Sequence, residues 1–272
     1  MDIILGIDVG GSNTKVVALD KSAALQFSFL IDNNYGDIKA EIVRRIREKD
    51  CRILKIALTG IGSHKIGDKL LGVPTVAVDE FTAIGLGGLQ LSGLDEAVVA
   101  SMGTGTAFVH AKGDRFEHII GTGVGGGTLL GLCGKLIGAN DIKSIESLSK
   151  GGNLSRVDLT IGEISGETSL PSNLTASNFA GVKPDACDSD FVLGTMNLVL
   201  QVVGTMSILS CMSVGTRNIV LTGAMTRASL AESAYKLFSE TYGYNFVIPP
   251  HATFATAVGA ALKVMTMVEK VG

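Results

Sequence analysis

Along the first ninety positions the apolar residues follow two different periods. "DIILGID", "KVVALD" and "LQFSFLI" are short apolar runs, the first two separated by a glycine turn, and they predict an antiparallel meander of three strands. "GDIKAEIVRRIREK" changes the period. Ile38, Ile42, Val43 and Ile46 fall on one helical face, with Arg and Lys on the other. "ILKIALTG" reads as a buried strand, "PTVAVDEF" as another, and "EFTAIGLGGLQL" as a helix leading away. This order of elements is an α/β plan.

A second round starts near residue 95. "EAVVASMG", "GTAFVHAK" and "DRFEHIIG" predict three strands, the last two joined at the "KGD" turn. "GTGVGGGT" opens a helix, "TLLGLCGKLIG", and a polar, Gly- and Ser-rich region follows from about 149 to 188. After it come a long apolar helix, the strand "RNIVLTG", the helix "RASLAESAYKLFSETYG", the strand "NFVIPP" and a final helix over 254–270. Two meanders with helices in series predict two similar lobes, residues 1–94 and 95–272, facing each other. The final helix is free to pack back on the first lobe.

The run from 191 to 215 carries no charge and is long enough to span a bilayer. Asn197, Gln201 and several Thr and Ser interrupt it, and no Lys/Arg cluster flanks it, so a helix buried inside the protein is expected. The methionines at 196, 206 and 212 fit packing of that helix.

Composition narrows the class. Of 272 residues, 46% are apolar and 18% charged, which suffices for a sizeable core. The net charge of −3, with no block of like charges, argues against a nucleic-acid partner. Cys51, Cys133, Cys187 and Cys211 form no CxxC pair, so neither a zinc site nor a disulfide framework is suggested, and reduced, mostly buried thiols are expected. No charged n-region with an apolar h-region precedes the first strand, and a cytoplasmic protein off the membrane is expected.

Candidate chemistry lies in the glycines. They gather in four strand-end loops: Gly10-Gly11, "MGTGTA" at 102–107, "GTGVGGGT" at 121–128 and "LTGAM" at 221–225. Glycine lets backbone amides approach a phosphate, and a helix opening after residue 128 adds attraction for anions. The spacing is neither that of a P-loop nor that of a Rossmann fingerprint. Gly10, Gly11 and Ser12 would offer amides and a hydroxyl to a phosphate, Asp8 would orient water on a Mg²⁺ ion, and Lys15 would add charge. Asp79 and Glu80 follow the strand "TVAV". If they continue the strand, only one can face a cleft; alternatively both start the next helix, where negative charge is favourable.

"DVGGSNTK", "MGTGT" and "LTGA" resemble the two phosphate segments and the adenosine segment of the actin/hexokinase/heat-shock ATPase superfamily. Within it, "VDEFTAIGLG" resembles the segment holding the catalytic glutamate. "GTGVGGGTLLGL" is similar to the Gly-rich loop and helix of type II pantothenate kinases. "LPSNLTASNFAGV", residues 170–182, resembles a proline-led signature of their bacterial members. The motifs keep the family order and cover nearly the whole chain.

The resemblance implies a two-lobed actin-like, ribonuclease H-like ATPase fold with the nucleotide cleft between lobes. It implies ATP and Mg²⁺ as cofactors, phosphorylation of pantothenate to 4′-phosphopantothenate as the first step toward coenzyme A, and a homodimer through the long helix. Glu80 becomes the base. Asp8, Gly10, Gly11, Ser12, Lys15, Gly103, Thr104, Gly105, Gly121, Gly125, Gly126, Gly127 and Gly223 become the nucleotide contacts, with Thr104 and His118 on the acceptor side.

Two positions depart from the family. Ser12 stands where Thr is usual and keeps the hydroxyl. His118 stands where an Arg is usual, and Arg115, three residues away, would point to the other face of a regular strand. His64, His110 and His251 are expected to be structural or surface residues. Two other functions stay in view. A sugar kinase of the ROK type usually shows an "ND-N" base and often a Cys/His zinc cluster; neither is present. A nucleotide-binding regulator without transfer activity is the other.

Overall fold

The computed structural model describes every residue except 35, 166–169 and 270–272. The final residue of the last predicted helix, 270, lies outside the described residues. Two sheets carry the architecture. The first uses β1 (Asp2–Val9), β2 (Asn13–Leu19), β3 (Leu25–Asp32), β4 (Arg52–Thr59), β5 (Lys69–Leu70) and β6 (Val73–Ala77), with α1 (Ile38–Arg47) and α2 (Glu80–Ser92) between and after them. Its order is β3-β2-β1-β4-β6-β5.

The second round supplies β7 (Glu96–Met102), β8 (Thr106–Lys112), β9 (Arg115–Thr122), α3 (Gly126–Ile137) and α4 (Ile142–Ser149). The polar region holds a small excursion, β10 (Leu159–Thr160), α5 (Ile161–Ile164) and β11 (Thr175–Ser177). Then follow α6 (Asp188–Val214), β12 (Asn218–Thr222), α7 (Ala231–Tyr242), β13 (Asn245–Val247) and α8 (Ala255–Glu269). The second sheet is ordered β13-β12-β7-β8-β9. Read from the other edge, β9-β8-β7-β12-β13 repeats β3-β2-β1-β4-β6, so each round is a meander extended by parallel strands.

Local sequence accounts for the elements. In α1, Ile38, Ile42 and Ile46 are buried, Asp37 caps the first turn by accepting from the Ala40 N–H, and Arg44, Arg45 and Arg47 sit in the last turn, where the helix dipole favours cations. The core of the first sheet lies between it and α1. Between the two sheets run α2 and α8: α2 rests on β7, β8 and β9, and α8 on β1, β2 and β4. Their backbones nearly touch. A Cβ at Gly87 would stand 1.9 Å from the Ala255 carbonyl oxygen, and one at Gly259 1.9 Å from that of Ala83. Any side chain at either position would force the helices apart.

The long apolar helix is a core element of the second lobe. α6 is long and apolar enough to cross a membrane, yet 61% of its 18-residue window is buried inside the protein. Its polar interruption has a protein partner. Asn197 donates to the Asp158 carboxylate at 2.7 Å, which also accepts from Asn178 Nδ2 and the Phe179 N–H. Asp158 is 1% exposed. The motif at 170–182 is thus tied to α6 through a buried carboxylate that stays hydrogen-bonded. Of the four free cysteines, Cys133 and Cys211 are buried, Cys51 is half-buried and Cys187 exposed, fewer buried than expected. His110 pairs with Glu96 at 2.9 Å.

Candidate active site

Strands β1, β4 and β6 are parallel, so their carboxyl ends share one edge of the first sheet. Asp8, the 59–62 loop and Glu80 therefore line the same edge, where α/β sheets build their ligand sites. In the second sheet, β7 and β12 are parallel, and the Gly103–Gly105 hairpin and Gly223 follow their ends.

The two glycine hairpins face each other. Ser12 Oγ lies 3.1 Å from Thr104 Oγ1, and a Cβ at Gly11 would come within 3.1 Å of the same hydroxyl. Gly10 closes its turn by donating to the Asn13 carbonyl at 3.1 Å. Among the described residues, the N–H groups of Gly11, Ser12 and Thr104 donate to no backbone acceptor. The facing tips thus present open donors, the arrangement an oxyanion requires. Asn33 holds the first hairpin, donating from Nδ2 to the Gly10 carbonyl at 2.8 Å and accepting from the Thr14 hydroxyl at 2.7 Å.

The third glycine loop serves differently. Gly126 and Gly127 donate to the carbonyls of Gly103 and Thr104, both at 2.9 Å, and Gly125 donates to Thr128 Oγ1. A Cβ at Gly125 would stand 2.8 Å from the Thr104 carbonyl oxygen. These glycines press one loop onto another, and their amides are already committed within the protein. Gly121 pairs with Ala107 in the sheet beside His118, a Cβ there being 3.8 Å from His118 Nε2. Gly223 takes a φ of +90°, and a Cβ there would stand 2.4 Å from the Met102 carbonyl oxygen, so the loop after β12 lies directly on the end of β7.

Charge is concentrated beneath the hairpins. Lys15 Nζ lies 3.0 Å from Asp8 Oδ2, with only 11% and 8% of the two side chains exposed. The pairing follows from the meander, in which Asp8 sits opposite Lys15. Glu80 lies close to both. Burial raises its carboxyl above the usual carboxylate range, and the charge of Asp8 raises it further; Lys15 opposes the shift, and Asp79 adds to it.

Asp79 and Glu80 do not continue β6, which ends at Ala77. Asp79 is the N-cap of α2, accepting from the Thr82 N–H at 2.8 Å, and Glu80 is the first helical residue. The two carboxylates are separated by capping, not by strand alternation. Phe81 then stacks on His118, ring centroids 4.2 Å apart and planes at 19°. One turn on, Gly85 meets Phe116, a Cβ there being 2.4 Å from the Phe116 ring. Phe116 and His118 thus share the face of β9 that lies along α2, whereas Arg115 has the opposite parity. Asn33, Phe81 and the 59–62 loop are site residues that the sequence reading left out. Only the loop carried a signal, a "TGIG" directly after a strand.

Two parallel-ended sheets, paired glycine hairpins and a buried carboxylate beside them define an actin-like ATPase fold. Solved structures agree. The activator of 2-hydroxyisocaproyl-CoA dehydratase from Clostridium difficile with bound ADPNP superposes with a TM-score of 0.66 at 19% identity, over 99% of this chain and 96% of that one. A ROK family glucokinase from Streptomyces griseus in complex with glucose and AMPPNP gives 0.59 at 11%, over 96% and 98%.

Sequence relatives are more specific. The Fumble family model matches residues 97–263. A type II pantothenate kinase of Bacillus cereus (strain AH820) is 31% identical over 220 residues, 76% of this chain and 78% of the relative. One from Staphylococcus haemolyticus (strain JCSC1435) is 26% identical over 268 residues, 94% and 98% of the two chains. The chain belongs to the type II pantothenate kinase family.

Proposed function

We propose that this chain transfers the γ-phosphoryl group of ATP to the primary hydroxyl of pantothenate, giving 4′-phosphopantothenate at the entry to coenzyme A biosynthesis. The observation that carries the reading is the meeting of the two glycine hairpins at Ser12 and Thr104, with Glu80 on the same sheet edge.

In this reading the open amides of Gly11, Ser12 and Thr104 bind the transferring phosphate, and the Ser12 and Thr104 hydroxyls steady it. Gly103, Gly105, Gly125, Gly126 and Gly127 shape the wall that lets the phosphates approach. Gly223 lines the nucleoside end, and Gly121 sits beside His118 on the acceptor side. Glu80 takes the proton from the acceptor hydroxyl as its oxygen attacks phosphorus; the bond to the departing ADP oxygen breaks. A carboxylate whose proton affinity is raised by burial is a better base for an alcohol than an exposed one. His118, held flat by Phe81, meets the carboxylate or amide end of the acceptor.

Asp8 fits a magnesium ion held through water. Oδ2 is taken by Lys15, and Oδ1 accepts from no described residue. One carboxylate plus substrate phosphates is a usual magnesium environment, and the ion would supply charge neutralisation between phosphates.

The boundary between lobes is assigned at 94/95, with α8 returning to the first. The protein is a cytoplasmic homodimer joined along α6, whose Leu209 and Met212 are 53% and 64% exposed in a single chain; a monomer by light scattering at micromolar concentration would contradict the assembly. The function is tested by following ATP consumption with pantothenate, pantetheine, hexoses and hexosamines. Turnover with pantothenate is expected. Phosphorylation of a hexose and none of pantothenate would reject it in favour of a sugar kinase, and nucleotide binding with no acceptor consumed would favour a regulator.

A further inference from the structure

Ile61 is 74% exposed, more than any other large apolar side chain among the described residues. Its loop is nevertheless pinned. Gly60 takes a φ of +87°, and a Cβ there would lie 2.6 Å from both Asp8 Oδ1 and the Val9 carbonyl oxygen. The Gly62 N–H donates to that same carbonyl at 2.9 Å, and a Cβ at Gly62 would stand 2.7 Å from Val9 Cγ1. Two glycines that leave no room for side chains thus clamp the loop to the end of β1 and leave Ile61 as the one side chain projecting from it. That side chain leans over the first hairpin: Ile61 Cδ1 is 3.9 Å from the Cβ position of Gly11.

Strand order fixes the rest. β4 lies between β1 and β6, so the loop after it lies between Asp8 and Glu80. Carboxylates, hydroxyls and open amides surround this point, and an aliphatic side chain has nothing to offer a phosphate. It suits an apolar part of the acceptor next to the reacting hydroxyl. In pantothenate the hydroxymethyl group is borne on a quaternary carbon with two methyls, which must accompany the hydroxyl to the phosphate.

We infer that Ile61 is a specificity-determining residue that covers this gem-dimethyl carbon and selects acceptors that carry it. The inference rests on the acceptor reading above. In the test, kcat/KM is measured for pantothenate and for its analogue lacking both methyls, in the wild type, Ile61→Ala and Ile61→Val, with MgATP affinity measured in parallel.

Removing apolar contact of this size changes discrimination by roughly 10-fold or more. The wild type is expected to favour pantothenate by about that factor. In Ile61→Ala kcat/KM for pantothenate falls roughly 10-fold, chiefly through KM, while the demethylated analogue changes less than about 2-fold. MgATP affinity stays constant and Ile61→Val recovers most of the preference. Equal losses on both acceptors, or no loss on either, overturn the role of Ile61 while leaving the kinase reading intact. A wild type that phosphorylates neither acceptor overturns the kinase reading and this inference with it.

Discussion

Replacing Lys15 by methionine removes the cation paired with the buried carboxylate of Asp8. Asp8 Oδ2 and Lys15 Nζ are 3.0 Å apart, and Asp8 is 5% exposed. Methionine keeps most of the volume and the apolar stem, so the perturbation is chiefly electrostatic. Truncating one partner of such a pair costs about 3–5 kcal/mol, because the other charge stays buried without compensation. An exposed pair would be worth about 0–1 kcal/mol, so the two cases are well separated.

For a protein of this size each kcal/mol moves Tm by about 2–4 °C, which gives a fall of roughly 6–20 °C. Thermal unfolding followed by circular dichroism reads the shift, and urea unfolding gives the free energy. The double variant Lys15→Met with Asp8→Asn removes both charges of the pair and should recover much of the loss, a coupling of roughly 0.5–3 kcal/mol. A single variant that loses less than about 1 kcal/mol, or a double variant no more stable than it, would refute the buried-pair argument.

Glu80→Gln should lower turnover by roughly 10²–10⁴ with MgATP affinity nearly unchanged, and near wild-type turnover would remove the base role. Its stability effect has the opposite sign. A carboxyl raised on folding binds more protons in the folded state between its ordinary 4.5 and its raised value, so stability falls as pH rises through that window, and the variant should unfold at higher temperature than the wild type at neutral pH. Gly11→Val would drive a side chain toward Thr104 Oγ1, only 3.1 Å from the Cβ position, and should abolish MgATP binding by calorimetry while far-UV circular dichroism is preserved; retained affinity would move the phosphate elsewhere. His118→Arg adds a charge-assisted hydrogen bond worth roughly 1.5–3 kcal/mol and should lower the pantothenate KM about 10- to 100-fold, and an unchanged KM would take residue 118 out of the acceptor pocket.

Sequence alone determined much of this protein, because much of it is local. Short apolar runs set the two meanders, and a period-3.6 run set α1. Glycine clusters at strand ends marked where backbone must bend or come close. The short α4 and the β10-β11 pair went unread, lying beside or within a polar stretch whose structure depends on distant partners such as Asp158. Asp79 and Glu80 were legible as a pair, but their separation was not: β6 stops at Ala77, and a cap rather than a pleat divides the two carboxylates.

Tertiary structure decided what each glycine is for. Gly11 faces the Thr104 hydroxyl across the lobes, whereas Gly126 and Gly127 bury their amides against the second hairpin and Gly125 donates to Thr128 within its own loop, a distinction between residues of the same kind that no spacing encodes. The same is true of Asn33 and Ile61. Each is an ordinary residue on its own strand or loop. Each acquires its place because β1, β2, β3 and β4 lie side by side, so that positions 23 and 50 residues from Gly10 and Gly11 arrive at one turn. Hydrophobic periodicity fixes which face of an element is buried, but strand order and backbone approach fix which neighbours it meets, and those arise only when the sheets assemble.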